Sequence, residues 1–335
     1  MSDDLLSRHD VLLADLDGTL YRGPDPVPGA ADAVVAAAER GVGTAYVTNN
    51  ASRSAADVAH HLAELGFPAG VDDVRTSAQA AASLLGEQLP SGASVLVVGT
   101  SALVDEVRAQ GLQVLSDAEG ADAVVQGHSP ETGWRQLAEA VVAIRGGALW
   151  VASNIDRTLP TERGALPGNG SMVQAVQNAA GGAPQVAGKP AARLLREAQG
   201  SATHPLVVGD RLDTDIEGGH SLGAPSLLVL TGVADAAELL GAPVEQRPTY
   251  IGADMSALFR HPDELLPGPR AGWRAERSAD GLVLSGDGAG SPEPALDALR
   301  VLVAVAWDGG AAPSGVRADG AAAEAALAEL GLTAG

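Results

Sequence analysis

The sequence predicts an α/β fold built on parallel sheets. Short apolar runs of strand length alternate along the chain with longer amphipathic segments of helix length, and this alternation is typical of parallel strands joined by helical crossovers. The chain has 335 residues, of which 46% are hydrophobic, so it is long enough for two or three domains with a substantial buried core. We therefore expect parallel strands covered by helices.

The predicted strands are short runs dominated by Val, Leu and Ala. They cover Val11 to Ala14, Thr44 to Val47, Ser94 to Val98, Ala123 to Gln126, Ala148 to Ala152, Pro205 to Val208 and Ser226 to Leu230. The predicted helices between them have apolar residues at helical spacing. They cover Pro28 to Arg40, Arg53 to Leu65, Trp134 to Arg145, Ala191 to Gln199 and Thr214 to Leu222. Gly41, Gly66 and Gly223 follow three of these segments as stop signals.

Two carboxylates follow the first predicted strand, one residue apart. Asp15 and Asp17 belong to the run Asp15-Leu16-Asp17-Gly18-Thr19, which comes directly after Val11 to Ala14. An open α/β sheet binds its ligands at the carboxyl ends of its strands. Because carboxylates are costly to bury without a cationic partner, the pair indicates a metal ion, phosphate transfer chemistry, or both.

Three further segments end a predicted strand or open a helix with polar groups suited to phosphate. They are Val47-Thr48-Asn49-Asn50, Gly188-Lys189-Pro190 and the run from Val208 to Asp215 that includes Asp210. Lys189 is the only lysine, since every other basic residue is arginine, and its ammonium is a compact point charge. Each segment alone also fits a turn or a helix cap. A Walker A loop is excluded, because Ala183 and Pro190 occupy positions that need glycine and Ser or Thr.

In order and spacing, the four segments resemble the four motifs of the haloacid dehalogenase superfamily, over roughly Asp10 to Arg260. The insertion between the second and third motifs resembles the large α/β cap of subclass IIA, which includes enzymes like p-nitrophenyl phosphatase and phosphoglycolate phosphatase. The resemblance implies a Rossmann-like doubly wound parallel-sheet core with an inserted α/β cap domain.

The resemblance also implies a mechanism that passes through an aspartyl-phosphate. Asp15 would be the nucleophile, and Asp17 would protonate the leaving oxygen and then activate water. Mg²⁺ would be the cofactor, held by the side chains of Asp15 and Asp210 and the backbone carbonyl of Asp17, with Asp215 in support.

The remaining site residues expected from the resemblance contact the substrate. Thr48, Asn49 and Lys189 would hold the phosphoryl oxygens, and Lys189 would also offset charge in the transition state. The segment Ala152 to Gly164 resembles the loop through which this subclass contacts its leaving group. Its candidate substrate residues are Asn154, Asp156 and Arg157, although a capped turn with an exposed arginine explains them equally well.

The substrate is expected to be a small phosphate ester. Only Trp134 and Trp150 supply aromatic rings in the cap, which disfavours substrates held by ring stacking and favours a polyol or hydroxy-acid phosphate. The segments Thr158 to Gly164 and Gly168 to Met172, with the C-terminal extension, are similar to the glycerol 3-phosphate phosphatases of actinobacteria. We expect hydrolysis of glycerol 3-phosphate, and phosphoglycolate, p-nitrophenyl phosphate and pyridoxal phosphate are the alternative substrates.

A Pro/Gly cluster from Pro267 to Gly272 predicts a linker. We expect residues 1–80 with 184–262 to form the core, 81–183 the cap, and 263–335 a small C-terminal α/β extension with the order strand, strand, helix, strand, helix. The extension is similar to part of an acetyltransferase fold. Its helix from Ala295 to Trp307 is not preceded or interrupted by the Arg/Gln-x-x-Gly-x-Gly loop that would bind a pyrophosphate at a helix N-terminus, so we expect the extension to be non-catalytic.

Composition excludes several other classes of partner and site. The net charge of -21 disfavours nucleic acid and anionic membranes. The absence of cysteine excludes disulfides, zinc-thiolate sites and thiol nucleophiles, and is compatible with a reducing cytoplasm. Neither a signal peptide nor an apolar run of the roughly 18 to 20 residues of a membrane span is visible. We expect a cytoplasmic protein, and the sequence leaves homo-oligomer formation open.

Two hypotheses of other kinds compete with the phosphatase. The chain could be an inactive phosphate-metabolite-binding or interaction protein, or a phosphomutase that transfers the phosphoryl group to a sugar phosphate. Both Asp15 and Asp17 are present, and since the hydrolytic mechanism needs both carboxylates, the sequence favours an enzyme.

Overall fold

The computed structural model describes residues 3–161, 163–309 and 312–332. By the density of contacts, the chain forms two compact units. The first unit comprises Pro26–Gly43 and the described parts of Met1–Arg22 and Ala202–Gly335, and the second comprises Gly23–Asp25 and Thr44–Ser201. Among the described residues, no helix is long and apolar enough to cross a membrane.

The strands and helices are numbered in chain order. The strands are β1 (Val11–Ala14), β2 (Tyr21–Arg22), β3 (Asp25–Pro26), β4 (Gly43–Thr48), β5 (Val74–Thr76), β6 (Ser94–Val98), β7 (Gln113–Leu115), β8 (Ala123–Gln126), β9 (Leu149–Ala152), β10 (Thr158–Thr161), β11 (Gly164–Pro167), β12 (Gln185–Val186), β13 (Pro205–Gly209), β14 (Ser226–Val229), β15 (Tyr250–Gly252), β16 (Trp273–Ser278), β17 (Gly281–Gly286) and β18 (Val316–Asp319). The helices are α1 (Ala30–Glu39), α2 (Ala55–Glu64), α3 (Ser77–Gln88), α4 (Ser101–Ala109), α5 (Trp134–Arg145), α6 (Asn169–Ala180), α7 (Ala192–Gln199), α8 (Glu217–Leu222), α9 (Ala236–Leu240), α10 (Pro262–Leu265), α11 (Pro294–Asp308) and α12 (Ala321–Glu329).

In the first unit, four parallel strands lie in the order β15-β14-β13-β1. Every residue of β1 and β13 is buried, as expected for strands of a parallel sheet covered on both faces. Ala14 pairs with Val208. The polar segments that follow these two strands therefore begin side by side at one edge of the sheet.

The C-terminal extension also lies in the first unit. β16 and β17 are antiparallel, β17 and β18 are parallel, and the element order matches the predicted strand, strand, helix, strand, helix. Its buried residues Leu282 and Leu299 belong to one continuous hydrophobic cluster with Leu228 and Ile251 of β14 and β15. The extension is thus packed on the same apolar core as the strands that precede it.

The second unit contains a five-stranded sheet in the order β12-β9-β8-β6-β7, with all pairs parallel. Helices α5 and α6 pack on each other and cover one face, where Trp150 lies in the core. β4 and β5 of this unit pair in parallel, and β10 and β11 form an antiparallel hairpin. Val186 pairs with Ala152, so the segments that follow β12 and β9 begin as neighbours.

The α/β prediction is confirmed, and each of the seven predicted strands is present within one residue at either end. Three helix starts differ from expectation by two residues or more. Helices α1 and α2 begin at Ala30 and Ala55, and not at Pro28 and Arg53. The predicted helix from Thr214 begins instead as a π-helical turn over Leu212–Ile216, in which the Ile216 N–H donates to the Arg211 carbonyl five residues earlier.

Candidate active site

Three carboxylates of the first unit lie together where strands end. Asp15 directly follows β1, and its N–H still donates to the Val208 carbonyl (2.8 Å). Asp210 directly follows β13, and Asp215 lies in the π-helical turn after it. One carboxylate oxygen of each lies within 4.8 Å of the others. We call Asp15, Asp210 and Asp215 the carboxylate cluster.

The carboxylate cluster has the chemistry of a site for a hard divalent cation. Asp210 and Asp215 are buried, with exposed fractions of 0% and 1%, and Asp15 is half-buried. Three like charges at this distance repel one another unless a cation offsets them. Carboxylate oxygens are the donors that Mg²⁺ prefers in proteins. The described residues at this site therefore fit the magnesium ion expected from the sequence.

Neighbouring polar groups hold Asp210 in place. The Thr19 hydroxyl donates to Asp210 Oδ1 (3.2 Å), and the Val233 N–H donates to Asp210 Oδ2 (2.7 Å). Such bonds orient a metal-binding carboxylate and fix its rotamer. The residues predicted from the sequence did not include Thr19 and Val233. A signal was available for the second, since Val233 follows soon after a predicted strand.

Two glycines allow the backbone to approach this carboxylate. A Cβ atom at Gly18 would lie 2.3 Å from Asp210 Oδ2, and one at Gly232 would lie 1.8 Å from it. Gly18 also has a φ of +93°, a conformation that side chains other than glycine rarely adopt. Only residues without a Cβ fit at these two positions while Asp210 keeps its place.

Asp17 is set apart from the carboxylate cluster by its exposure. Leu16 between the two aspartates is buried, whereas Asp17 is exposed. The segment is a tight turn in which the Gly18 N–H donates to the Tyr21 carbonyl (2.8 Å), and the Thr231 hydroxyl donates to the Gly18 carbonyl (2.6 Å). A carboxylate with access to water is suited to exchange protons.

In the second unit, the only lysine is buried and its backbone is held by Asn49. Lys189 is 2% exposed, and its ammonium donates to the Val47 carbonyl (3.3 Å). The Lys189 N–H donates to Asn49 Oδ1 (2.8 Å), and Asn49 Nδ2 donates to the Lys189 carbonyl (3.0 Å). Thr48 is buried, and its hydroxyl oxygen accepts the Asn50 N–H (3.0 Å). The structure thus brings Asn49 and Lys189 into direct contact.

The segment 154–157, which we call the substrate loop, contacts the same asparagine. Asn49 Nδ2 donates to both carboxylate oxygens of Asp156 (3.1 and 3.2 Å). Asn154 Nδ2 donates to the Asn49 carbonyl (2.7 Å), and Asn154 Oδ1 accepts the Asp156 N–H (3.1 Å). Two of the three candidate substrate residues are therefore joined to Asn49, and the third, Arg157, is exposed.

Glu162, which belongs to the segment Ala152 to Gly164, lies outside the described residues. Ser77, which was not among the predicted site residues, also contacts Asn49, because its hydroxyl donates to the Asn49 carbonyl (2.5 Å). It opens helix α3 after the short strand β5, neither of which the apolar pattern predicted. Asn49 is thus contacted through both its side chain and its carbonyl.

Three family models match the chain. A model of haloacid dehalogenase-like hydrolases matches residues 12–113, and a model of HAD-hydrolase-like proteins matches residues 186–258. A model of a GCN5-related N-acetyltransferase-like domain matches residues 270–332. The first two matches contain the four motifs on which the resemblance was based, and the third covers the extension.

Relatives of similar sequence are phosphatases. The D-glycerol 3-phosphate phosphatase of Mycobacterium tuberculosis is 49% identical over 315 residues, which are 92% of this chain and 88% of that protein. The acid sugar phosphatase of Staphylococcus saprophyticus is 34% identical over 259 residues, which are 76% of this chain and 98% of that protein.

Solved structures agree with this assignment. The crystal structure of the glycerol phosphate phosphatase from Mycobacterium tuberculosis in complex with magnesium matches with a TM-score of 0.92 at 48% identity, covering 99% of this chain and all of that one. The p-nitrophenyl phosphatase from Archaeoglobus fulgidus matches with a TM-score of 0.70 at 29% identity, covering 75% of this chain and 98% of that one. The core and cap expected from the sequence are the fold of these enzymes, and this chain belongs to the haloacid dehalogenase superfamily of hydrolases.

Proposed function

We propose that this chain is a Mg²⁺-dependent phosphatase that hydrolyses glycerol 3-phosphate to glycerol and phosphate through an aspartyl-phosphate. The observation that supports the reaction most strongly is the carboxylate cluster, whose oxygens lie within 4.8 Å of one another at strand ends. The substrate is supported by the 49% identical relative, a D-glycerol 3-phosphate phosphatase.

In the proposed reaction, the Asp15 carboxylate attacks phosphorus and the bond from phosphorus to the leaving oxygen breaks. Asp17 in its acid form donates a proton to that oxygen, so that glycerol leaves as the neutral alcohol. Asp17, now a carboxylate, then takes a proton from water as the water oxygen attacks the same phosphorus. This second step releases phosphate and regenerates the Asp15 carboxylate. The exposure of Asp17 supports its role in moving protons.

The cation would be held by the side chains of Asp15 and Asp210 and by the backbone carbonyl of Asp17, with Asp215 in support. When bound, Mg²⁺ supplies positive charge that offsets the repulsion between the attacking carboxylate and the phosphate. Thr19 and Val233 keep the Asp210 carboxylate in a fixed orientation. Pre-organised ligands of this kind reduce the reorganisation that the reaction requires.

Thr48, Asn49 and Lys189 are proposed to hold the phosphoryl oxygens. Burial of Lys189 keeps its ammonium in a medium of low dielectric constant, where its attraction for a phosphoryl oxygen is stronger than in water. Since Asn49 contacts both the N–H and the carbonyl of Lys189, it also fixes the backbone that carries the ammonium.

We propose that residues 1–80 with 184–262 form the core, residues 81–183 the cap, and residues 263–335 a non-catalytic, partly acetyltransferase-like extension. We also propose that the protein acts in the cytoplasm and has no nucleic acid or membrane partner. The family match over residues 270–332 supports the likeness of the extension to acetyltransferases. Sedimentation velocity would measure the oligomeric state that the sequence leaves open.

The proposal is tested by phosphate release from a panel of esters with and without Mg²⁺. The panel contains glycerol 3-phosphate, 2-phosphoglycolate, pyridoxal 5'-phosphate, p-nitrophenyl phosphate and a sugar phosphate, the last because acid sugar phosphatases are among the relatives. We expect the highest kcat/KM on glycerol 3-phosphate and loss of turnover when Mg²⁺ is chelated. A preference for another ester would refute the substrate but keep the phosphatase, and inactivity on all of them would refute both.

A further inference from the structure

The first turn of helix α6 is bound to the substrate loop through a row of hydrogen bonds. The Gly168 N–H donates to the Arg157 carbonyl (2.9 Å), and the Gly170 N–H donates to the Asp156 carbonyl (2.8 Å). The Ser171 hydroxyl donates to the same Arg157 carbonyl (2.7 Å). Backbone donors at the start of a helix have no partner within the helix, and here two of the donors around that start bind the carbonyls of the loop.

Asn169 adds a contact from its side chain. Its Nδ2 donates to the Asn154 carbonyl (2.7 Å) and to the Gln126 carbonyl at the end of β8 (3.2 Å). Asn169 is 1% exposed, and loss of a hydrogen-bond partner is most costly for buried groups. The start of the substrate loop is therefore tied to a strand of the five-stranded sheet through one buried amide.

The two glycines of this turn are required by how closely the two backbones approach. A Cβ at Gly170 would lie 2.1 Å from the Ile155 carbonyl oxygen, and a Cβ at Gly168 would lie 2.4 Å from the Asp156 carbonyl oxygen. Backbone atoms at these distances cannot be avoided by rotating a side chain. Any larger residue must therefore displace the substrate loop or the helix.

Asp156 connects the substrate loop to the residues that are proposed to bind phosphate. Its carboxylate accepts two hydrogen bonds from Asn49 Nδ2, and Asn49 Oδ1 accepts the Lys189 N–H. Movement of the loop thus changes the partners of Asn49 and, through Asn49, the backbone of Lys189. All of these residues belong to the second unit.

We infer that the segment 168–171 is a positioning element for the substrate loop, with Asn169 as its central positioning residue, and that it sets which phosphate ester the enzyme prefers. The inference rests on the proposed phosphatase function and deepens it, because it assigns substrate preference to residues that need not touch the substrate. The loop resembles the one through which this subclass contacts its leaving group, so its position would affect esters with different leaving groups unequally.

The test compares Gly170→Ala with Gly133→Ala. Gly133 precedes helix α5 as Gly168 precedes α6, but a Cβ at Gly133 meets no atom within 4 Å. We expect Gly170→Ala to lower kcat/KM on the preferred alkyl phosphate by about tenfold or more, and to lower it much less on p-nitrophenyl phosphate. The nitrophenolate is a good leaving group without alcohol hydroxyls for the loop to bind. Gly133→Ala should leave both values within about twofold of wild type, as for a surface change.

Ser171 supplies a milder pair of variants, since its side chain is exposed and its replacement leaves the core intact. Ser171→Ala removes one hydrogen bond to the loop, and it should lower the ratio of kcat/KM on the alkyl phosphate to kcat/KM on p-nitrophenyl phosphate by a few fold. Ser171→Thr keeps the hydroxyl and should have the wild-type ratio. Circular dichroism and thermal melting would show whether each variant is folded. If Gly170→Ala does not fold, the Ser171 pair decides the question.

A substrate ratio that stays at the wild-type value in folded Gly170→Ala and in Ser171→Ala would overturn the inference, even if all rates fell equally. That result would leave the phosphatase proposal intact, because the wild-type panel establishes it separately. A wild-type chain inactive on every ester would overturn both.

Discussion

The carboxylate cluster and the substrate loop differ in how the fold positions them. Asp15 and Asp210 come directly after β1 and β13, two paired strands whose register places their ends side by side. Asp156 instead follows β9 in an irregular segment, and it is held by Asn49, 107 residues away in the sequence. Strand pairing brings the first two residues together, whereas the second arrangement depends on a network of side-chain and backbone contacts between irregular segments.

We propose that this difference separates the residues that carry the reaction from those that select the substrate. A cluster fixed by the sheet suits chemistry that is the same for every phosphate ester, because the attacking group and the cation must keep their geometry. A loop held by hydrogen bonds can change without loss of the sheet, and functional loops vary more than the scaffold that carries them. Changes in the cluster should therefore lower all activities together, and changes around the loop should alter their ratio.

The largest effect is expected from Asp15→Asn. The amide cannot form the acyl phosphate, so kcat should fall by about 10⁴-fold or more on every ester. Asp213→Asn is the matched control, since Asp213 is an exposed carboxylate between Asp210 and Asp215 in the sequence. Steady-state phosphate release measures both. A selective loss on one ester, or substantial turnover by Asp15→Asn, would contradict the nucleophile assignment.

Lys189→Met is expected to lower kcat by about 10² to 10³-fold on all esters, because a buried charge that stabilises the transferring group is lost. Lys189→Arg should recover little, since a planar guanidinium does not fit a site built for a compact ammonium. Both variants are assayed by phosphate release at saturating Mg²⁺, and circular dichroism checks that they are folded. Full recovery of kcat by Lys189→Arg would contradict this prediction, because it would show that only the charge matters at position 189.

Gly232→Ala tests the support of the carboxylate cluster. The new Cβ would lie 1.8 Å from Asp210 Oδ2, so Asp210 must move, and we expect a 10- to 100-fold weaker apparent affinity for Mg²⁺. Gly241→Ala, where the nearest atom would be 3.7 Å from the Cβ, is the control. Mg²⁺ titrations of phosphate release distinguish the two. An unchanged apparent affinity for Mg²⁺ in Gly232→Ala would show that Asp210 does not hold the metal.

Asp156→Ala should act on the ratio of substrates. It removes the acceptor of both hydrogen bonds from Asn49 Nδ2 to the loop, and we expect the preference for glycerol 3-phosphate over p-nitrophenyl phosphate to fall by about tenfold. The experiment is a comparison of kcat/KM on the two esters. Equal losses of kcat/KM on both esters would show that Asp156 acts in the reaction common to all esters. The substrate loop and the carboxylate cluster would then not differ in the way proposed here.

Asp297→Asn should affect stability and leave the substrate ratio unchanged. Arg300 is completely buried and donates to Asp297 (2.7 Å) and to the Ile251 carbonyl (2.7 Å), which ties α11 to β15. Removing the Asp297 charge leaves the buried Arg300 with Glu293, at 3.5 Å, as its acidic partner, and loss of the closer partner of a buried ion pair is strongly destabilising. We expect the free energy of unfolding at pH 7 to fall by about 3 kcal/mol, as measured by urea denaturation.

The same pair predicts a pH dependence. Burial alone would raise the pKa of Asp297, but hydrogen bonds from Ser291 and Arg300 outweigh it and hold the pKa below its usual value. The stabilisation by the ionised Asp297 is therefore complete above the pKa that this carboxyl has in the unfolded chain, about 3.9. It is lost as the pH falls through the lowered pKa of Asp297 in the folded protein. The stability difference between wild type and Asp297→Asn should shrink below about pH 4, and a constant difference would contradict this account.

Strand-end chemistry could be predicted from the sequence, because a run of apolar residues both forms the strand and marks where it ends. Asp15 and Asp210 were found in this way. The role of Gly232 could not be found, since a glycine required by close approach looks like any other until the atom it approaches is known. The pairing of Asn49 with Asp156 was equally hidden, because no local pattern records a contact between distant segments.

The C-terminal extension shows the same limit. Its order of strands and helices follows from the sequence pattern, yet the pattern of α11 does not say which element covers it. In the structure Leu299 shares a hydrophobic cluster with Leu228 and Ile251. Burial of one helix face is a local property, whereas the identity of the covering surface is a property of the whole fold.

The most direct test of the central claim is to trap the phosphorylated enzyme. Wild-type protein and Asp15→Asn would be mixed with substrate and Mg²⁺, quenched in acid within the first turnover, and analysed by peptide mass spectrometry with fragmentation. We predict one phosphoryl group on Asp15 in the wild type and none in the variant. A phosphoryl group on another residue, or none during demonstrable turnover, would contradict the account.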